Sequence, residues 1–282
     1  MASLWEGGNL LVPIANPDTV DRLIDTAISL ARASSVAVTV LHVVEVPPQV
    51  PLSEGRRLVD PARRELVENA AERCEEAEVT ATPKLRFSRE VANGIVGAVG
   101  EDSIDALLMG WRGRPRRRDI ILGSFLDRVM KEAPCDVLVK RITEQQSDIN
   151  SILVPIAGGP HCGLSVRLAG IFGRERDASV QLIHVISSDS TEETRAAGAD
   201  LLAEYTASLE LEGVKTQQNL IQSDDVPEAV TRQSAQFDLT ILGATRDPFL
   251  KRKLVGSVAE GVGRTAQSQV LLTRKYHREA NS

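Results

Sequence analysis

The chain contains few aromatic residues and no excess of positive charge. Its 282 residues include only 2 Trp, 2 Tyr and 5 Phe, so an apolar core must be built from Val, Leu, Ile and Ala. This composition disfavours a protein that stacks the bases of a single strand on aromatic side chains. The 33 basic and 39 acidic residues give a net charge of −6, which disfavours non-specific electrostatic binding of nucleic acid. We therefore expect no nucleic-acid partner.

Cysteine and long apolar runs are also scarce. The cysteines Cys74, Cys135 and Cys162 are far apart and match no metal-ligand spacing, so neither a zinc site nor a disulfide framework is expected. No apolar run approaches the ~20 residues of a membrane-spanning helix. Glu6 and Pro13 interrupt the short apolar stretch near the start, so we expect no signal peptide. These features favour buried or idle thiols in the reducing cytoplasm.

The most informative feature of the sequence is an internal repeat. Residues 9–15 (NLLVPIA) recur at 151–157 (SILVPIA), and residues 104–110 (IDALLMG) recur at 237–243 (FDLTILG). The second copy is shorter between its second and fourth strands. Copies of this length are whole domains and not the short units of a solenoid. The repeat predicts two domains, 1–146 and 147–282, joined by a polar linker at 143–148.

Short apolar runs alternate with helical patterns in the first copy. The runs at 10–14, 36–44, 80–87, 106–109 and 137–140 predict strands of a parallel sheet that is covered on both faces. Apolar residues recur at helical spacing over about 20–31, 62–76, 91–99 and 124–133. Asn16, followed by Pro17, is expected to cap the first helix. Right-handed crossovers then predict an α/β fold, a doubly wound five-stranded parallel sheet in each domain.

A glycine-rich loop follows the fourth predicted strand. Ligands of such sheets bind beyond the carboxyl ends of the strands, where the strand order reverses. Gly110 and Gly113 allow close backbone approach to an anion. After nine intervening residues, Gly123 and Ser124 begin a helix whose N-terminal amides favour negative charge. The arginines between 112 and 118 suit phosphate. An acidic partner, nucleic acid or a solvated loop would also explain this arginine run. Trp111 is either a lid over a ligand, a contact for a partner, or an exposed or semi-buried loop aromatic without either role.

These residues resemble the universal stress protein family, whose nucleotide-binding members carry G-x2-G-x9-G-[ST]. The resemblance covers nearly the whole chain twice, with Val-Pro ending the first strand, His-Val ending the second and Asp preceding the fourth. It implies a Rossmann-like fold of the adenine nucleotide alpha hydrolase type and a cytoplasmic stress-response protein. It also implies that the tandem domains pair through their last strands as an intramolecular dimer. The implied ligand of the first copy is ATP or AMP, with Mg only as a companion of the nucleotide.

By the same resemblance, a nucleotide site surrounds three strand ends of the first copy. Its residues are Pro13, Ile14, Ala15, Val43, Met109, Gly110, Arg112, Gly113, Gly123, Ser124 and Phe125. A weaker site in the second copy comprises Pro155, Ile156, Ala157, Val185, Gly243, Thr245, Gly256 and Ser257. Two features depart from the pattern of the binders. Ala15 and Ala157 stand where binders usually have Asp, and Arg246 stands where the second copy should have its second glycine.

No catalytic constellation accompanies the glycine loop. The sequence contains no nucleophile elbow, no Walker lysine loop and no GxGxxG after the first strand. His42 and His184 close equivalent strands, where a packed or hydrogen-bonded role is favoured over a metal pair. His161 and Cys162 lie near the second site, and chance placement at a helix start is favoured there.

We therefore expect a nucleotide-responsive stress or regulatory protein that is not an enzyme. One alternative is an interaction module of the same fold that has lost nucleotide binding and acts on a transporter or another protein. The other alternative is a slow ATPase. Assembly of the internal dimer into a homodimer is compatible with each of these hypotheses.

Overall fold

A computed structural model of the chain describes residues 4–111, 124–142, 148–244, 261–262, 266 and 268–277. The chain divides into two compact units. The first unit contains the described residues of 4–111 and 124–142 together with 276–277, and the second contains those of 148–275.

The first unit alternates strands and helices around a parallel sheet. Its elements are β1 (Asn9–Pro13), α1 (Pro17–Ser34), β2 (Ala37–Glu45), a 3-10 helix (Leu52–Leu58), α2 (Pro61–Glu76), β3 (Ala81–Ser88), α3 (Val91–Glu101), β4 (Ala106–Trp111), α4 (Ser124–Glu132) and β5 (Asp136–Arg141). The strand order is β3-β2-β1-β4-β5, and every pair is parallel. The predicted α/β fold is confirmed. The 3-10 helix was not predicted, and it lies in the proline-rich segment after β2.

The second unit repeats this winding with a shorter connection. Its elements are β6 (Ser151–Pro155), α5 (Pro160–Arg176), β7 (Ser179–Ile186), α6 (Glu192–Glu210), β8 (Thr216–Gln222), α7 (Val226–Ser234), β9 (Leu239–Gly243) and β10 (Gln269–Arg274). The order is β10-β9-β6-β7-β8, again with parallel pairs. Residues 187–191 join β7 to α6, whereas residues 46–60 join β2 to α2. The second copy is therefore shorter because this connection lacks the segment that forms the 3-10 helix.

Local capping fixes where the helices begin at the carboxyl edge of the first sheet. The Asn16 side chain accepts a hydrogen bond from the Asp18 N–H at 3.0 Å, and Pro17 begins α1. This confirms the predicted cap. Asp60 likewise accepts from the Ala62 N–H at 2.9 Å at the start of α2. Side-chain acceptors at these positions satisfy backbone donors that have no partner within the helix.

Aliphatic side chains form the cores, as the shortage of aromatic residues requires. Leu10, Leu11 and Val12 of β1 are fully buried, and so are Ile152, Leu153 and Val154 of β6. Burying such a side chain contributes roughly 1.5–3 kcal/mol. None of the helices within the described ranges has the length and apolar character needed to cross a membrane.

Helix α3 packs very closely on β2 at one glycine. A Cβ on Gly94 would lie 2.6 Å from Val43 Cγ1 and 3.0 Å from Ser88 Cβ. Val43 is β-branched, and its stiff side chain cannot easily turn away. Gly100 lies on the same helix, but no atom lies within 4 Å of the Cβ that it would carry. The two glycines therefore differ in packing while sharing one helix.

We expect Gly94→Ala to lower the free energy of unfolding of the first unit by about 1–3 kcal/mol, because the added methyl overpacks the α3–β2 contact. Gly100→Ala should leave it unchanged or raise it by up to about 1 kcal/mol, since Ala favours a helix. Urea titration followed by tryptophan fluorescence isolates this unit, because both tryptophans, Trp5 and Trp111, belong to it. Equal effects of the two substitutions would contradict the packing argument.

All three cysteines are buried, and none of them forms a disulfide bond. Burial raises the pKa of Cys74 to about 11 and also raises the pKa of Cys162. Since the thiolate is the reactive form, we expect the native protein at pH 8 to react with Ellman's reagent only as fast as it unfolds. The protein in urea should react at once with three equivalents. Rapid stoichiometric labelling of the native protein would show that at least one thiol is accessible.

Candidate functional site

The strand order of the first unit reverses between β1 and β4. From β1 the chain adds β2 and β3 on one side, and β4 and β5 then extend the sheet on the other side. The register pairs Pro13 with Leu41 and Leu11 with Leu107. The carboxyl ends of β1 and β4 therefore flank the place where sheets of this type bind ligands. We call this place the switch point.

A histidine of β2 fixes the chain where it leaves β1. The Ile14 N–H donates to the Leu41 carbonyl at 2.8 Å, and His42 Nδ1 lies 2.9 Å from the Ile14 carbonyl oxygen. A carbonyl can only accept, so Nδ1 of His42 carries the proton. This bond sets the path of residues 13–15 along the edge of the switch point.

The second unit repeats this bond at the end of β6. His184 Nδ1 lies 2.6 Å from the Ile156 carbonyl oxygen, and the Ile156 N–H donates to the Ile183 carbonyl at 2.7 Å. The two histidines therefore have the hydrogen-bonded role that the sequence favoured. In the described ranges no group of three or more His, Cys, Asp or Glu side chains could hold a metal ion.

Arg63 also reaches this edge, although it was not among the predicted site residues. Its guanidinium donates from Nη1 to the carbonyl oxygen of Ala15, which lies just beyond β1. That bond uses one of the five N–H donors of the guanidinium. A sequence signal did exist, because Asp60 and Pro61 start α2 after a strand and so place Arg63 in a helix turn at the carboxyl edge. The pattern did not show which loop Arg63 would contact.

Strand β4 was predicted over 106–109, but it continues to Trp111. Met109 is buried and Gly110 is half-buried, but Trp111 is the last residue of the strand, paired with Arg141. The residue is 9% exposed, so it is a buried strand residue and not an exposed loop aromatic. The Ile142 N–H donates to the Trp111 carbonyl at 2.7 Å, which continues the ladder with β5.

Helix α4 begins at Ser124, as predicted, and Phe125 in its first turn is 36% exposed. Val43 is buried on β2 beneath α3, and Pro13 is half-buried. The described structure therefore brings Pro13, Ile14, Ala15, Met109 and Gly110 to the carboxyl edge near β1 and β4. Arg112, Gly113 and Gly123, with the rest of the arginine run, lie outside the described residues.

In the second unit the first turn of α5 lies close against the end of β9. A Cβ on Gly243 would lie 3.0 Å from His161 Cβ and 3.2 Å from the His161 carbonyl carbon. His161 Nδ1 accepts from the Lys275 N–H at 3.0 Å, so His161 is held in this place. In the first unit the corresponding Cβ on Gly110 would instead meet the side chain of Ile142 at 2.6 Å. The two switch points therefore have different surroundings.

The remaining residues of the second candidate site are only partly described. Pro155 and Val185 are half-buried, Ile156 is buried and Ala157 is exposed. The Ala157 N–H donates to Cys162 Sγ at 3.3 Å, so the buried thiol has a structural role at the start of α5. Thr245, Gly256 and Ser257, together with Arg246, lie outside the described residues.

The chain matches one family model and several known proteins. The family model described as the universal stress protein family matches residues 8–141 and 149–274. The Na(+)/H(+) antiporter NhaS5 of Synechocystis sp. is 28% identical over 261 residues, which are 89% of this chain and 35% of that protein. The chain thus spans about a third of the antiporter's length. Universal stress protein Rv2623 of Mycobacterium tuberculosis is 25% identical over 266 residues, which are 87% of this chain and 89% of that protein.

Solved structures share the fold. The crystal structure of a universal stress protein from Archaeoglobus fulgidus has a TM-score of 0.71 and 16% identity, with 96% of this chain and 98% of that chain covered. The family model accounts for both copies of the repeat, and the sheet of each unit has the same strand order. The chain therefore belongs to the universal stress protein family, with two domains of that family in tandem.

Proposed function

We propose that this protein binds an adenine nucleotide, ATP or AMP, at the switch point of the first unit. The observation that carries the proposal is that the motif Gly-x2-Gly-x9-Gly-Ser starts at Gly110, at the end of β4, and finishes at Ser124, where α4 begins. A glycine loop between a strand and a helix N-terminus presents backbone N–H groups to phosphate. Pro13, Ile14 and Ala15 would then border the adenine and ribose, and the backbone of Val43 would meet the adenine. Arg112, Gly113 and Gly123 complete the proposed phosphate side.

Arg63 gives this proposed site an unusual electrostatic character. Ala15 supplies no carboxylate for the ribose, while the Arg63 guanidinium is bonded to the Ala15 carbonyl. The described border of the site beside residue 15 is therefore cationic, which suits a nucleotide that carries phosphate. We infer that nucleotide binding serves a stress-response or regulatory role without dedicated catalysis. Mg would enter only with the nucleotide.

The wider setting is also proposed. We infer a cytoplasmic protein with domains 1–146 and 147–282. The resemblance implies that these domains pair through their last strands, and in support β5 and β10 are each the terminal strand in the order of their own unit. We also propose that this pair can form a homodimer. We propose neither a nucleic-acid partner nor insertion into a membrane.

A second candidate function is favoured by one finding. The similarity to the antiporter NhaS5 extends over 89% of this chain but only 35% of that protein. Together with Ala15, Ala157 and Arg246, this favours an interaction module that binds a transporter or another protein without nucleotide. A slow ATPase is the third hypothesis, and among the described residues no side chain stands out as its general base.

Isothermal titration calorimetry of the full chain with ATP and with AMP tests the leading proposal. We expect binding below millimolar concentration, and Gly113→Arg should weaken it by more than about tenfold, or about 1.4 kcal/mol, because a side chain would replace the glycine that the phosphates approach. Gly100→Arg is the matched control, since it adds the same charge where no atom lies within 4 Å.

The outcomes separate the hypotheses. No binding of either nucleotide at millimolar concentration would overturn the proposal and favour the interaction module. Binding that Gly113→Arg leaves unchanged would show that the loop after β4 is not the site. Phosphate release from ATP that Gly113→Arg abolishes would favour the slow ATPase. Mass spectrometry of the denatured protein should also detect co-purified nucleotide.

Restoring the carboxylate at residue 15 tests the ribose side of the site. Ala15→Asp should tighten ATP and AMP equally, by about 1–3 kcal/mol, because a charged acceptor would bond the sugar that both ligands share. Calorimetry of Ala157→Asp, the equivalent change in the second copy, should give an unchanged first-site affinity. Weaker or unchanged binding by Ala15→Asp would show that residue 15 does not face the ribose.

A further inference from the structure

A groove of about 310 Å³ lies beside β3, the terminal strand of the first unit's sheet. We call it the β3 groove and define it by Arg56, Arg64, Val67, Glu68, Leu85 and Phe87. The proposed nucleotide site uses none of these residues. The groove lies between the 3-10 helix, α2 and β3, all of them described elements.

The floor of the β3 groove is apolar. Leu85 and Phe87 alternate along β3 and so share one face of the sheet, together with Pro83, which also lines the groove. Val67 of α2 is 1% exposed and closes the bottom. Leu85 and Phe87 are only half-buried. Part of their apolar surface is therefore available to a ligand.

The wall formed by the 3-10 helix is held in place by close packing. A Cβ on Gly55 would lie 2.6 Å from Phe87 Cδ1 and 2.9 Å from Val46 Cγ2, so the helix backbone rests directly on the floor. The Arg89 guanidinium donates to the carbonyl oxygens of Val46 at 3.1 Å and of Val50 at 2.8 Å. The segment that leads into the helix is thus fixed as well, and the groove exists before any ligand arrives.

The walls carry two cations that have no partner within the described chain. Neither Arg56 nor Arg64 forms a side-chain hydrogen bond or an ion pair with any described residue. Lys84 also lines the groove, but its ammonium is paired with Asp102. Glu68 adds one carboxylate, likewise without a described partner. The two guanidiniums therefore outweigh the single carboxylate, and the groove favours an anionic group.

Arg57 provides an internal comparison on the same helix. A 3-10 helix has three residues per turn, so Arg57 and Glu54 share a face that differs from the face of Arg56. Arg57 pairs with Glu54 at 3.3 Å and does not line the groove. Removing its charge should leave a groove ligand unaffected.

The edge of β3 disfavours an added strand as the occupant. The carbonyls of Thr80 and Ser88 accept from the N–H groups of Val38 at 2.9 Å and Val46 at 2.8 Å, so even-numbered residues direct their backbone groups toward β2. Backbone direction alternates along a strand, and Pro83 therefore faces outward. Since proline has no N–H, a donor is missing at the centre of the free edge.

We propose that the β3 groove binds a small anionic amphiphile, namely a carboxylate with a short alkyl or aryl body. Arg56 and Arg64 hold the carboxylate, and Val67, Leu85 and Phe87 receive the apolar body. The volume is at the lower end of the roughly 300–1,000 Å³ found for small-molecule pockets. The corresponding connection in the second unit, residues 187–191, has no 3-10 helix, so the site belongs to the first unit alone.

Calorimetry of the full chain with octanoate, octan-1-ol and octylammonium tests this proposal. We expect octanoate to bind, octan-1-ol to bind several-fold more weakly, and octylammonium to show no heat of binding. The double variant Arg56→Gln/Arg64→Gln should weaken octanoate by about tenfold, because it removes both charge-assisted donors. Glu68→Gln should tighten octanoate by about threefold, since it removes a nearby like charge. Arg57→Gln is the matched control and should change nothing.

Methyl NMR locates the ligand independently of affinity. Octanoate should shift the methyl signals of Leu85 and Val67 and leave those of Leu153 in the second unit unchanged. Equal affinity for octanoate and octan-1-ol, binding of octylammonium, or an equal loss of affinity in Arg57→Gln would each overturn the proposal. So would octanoate shifts that do not include Leu85. Urea titration of each variant separates a lost ligand contact from a lost fold.

Discussion

One hydrogen bond at the carboxyl edge organises both units. The imidazole Nδ1–H of His42 donates to the carbonyl of Ile14, and His184 makes the same bond to Ile156. Each carbonyl lies just past the first strand, where the ladder with the second strand ends. A buried carbonyl left without a donor would cost about 1–3 kcal/mol. The bond therefore fixes the turn from strand to helix, and Ile14 and Ala15, which are proposed to border the adenine and ribose, take their positions from that turn.

The regular elements could be predicted because a strand that is buried on both faces appears in the sequence as a continuous apolar run. The run at 10–14 appears as β1 (Asn9–Pro13), and the run at 36–44 appears as β2 (Ala37–Glu45). The 3-10 helix could not be predicted, since it is short, follows three prolines and has no 3.6-residue periodicity. Trp111 was predicted to lie in a loop, and this prediction was wrong because Trp111 is the last residue of β4. Gly110 indicated a loop, whereas pairing with β5 carries the strand one residue beyond it.

At the candidate site, sequence patterns do not predict the contacts between residues that are far apart in the chain. The glycine motif indicates which residue types suit phosphate, but it cannot show which helix turn lies over residue 15. Arg63 is 48 positions from Ala15, and only the packing of α2 brings its guanidinium to that carbonyl. The same holds for the second unit, where His161 lies against Gly243 although both residues look ordinary in the sequence. Contacts of this kind depend on helix placement and not on local pattern.

The two units also show how a duplicated fold acquires different surfaces at little cost. The longer connection at 46–60 lies at the sheet's end, and lengthening a loop adds only about 0.6 kcal/mol per doubling. Packing of Gly55 on Phe87 and the bonds from Arg89 then offset that cost by fixing the added segment. The central strands, by contrast, keep the same order and the same histidine bond in both copies. The shared features therefore lie in the central strands, whereas the connection beside β3 differs, and in the first unit that connection forms one wall of the groove lined by Arg56 and Arg64.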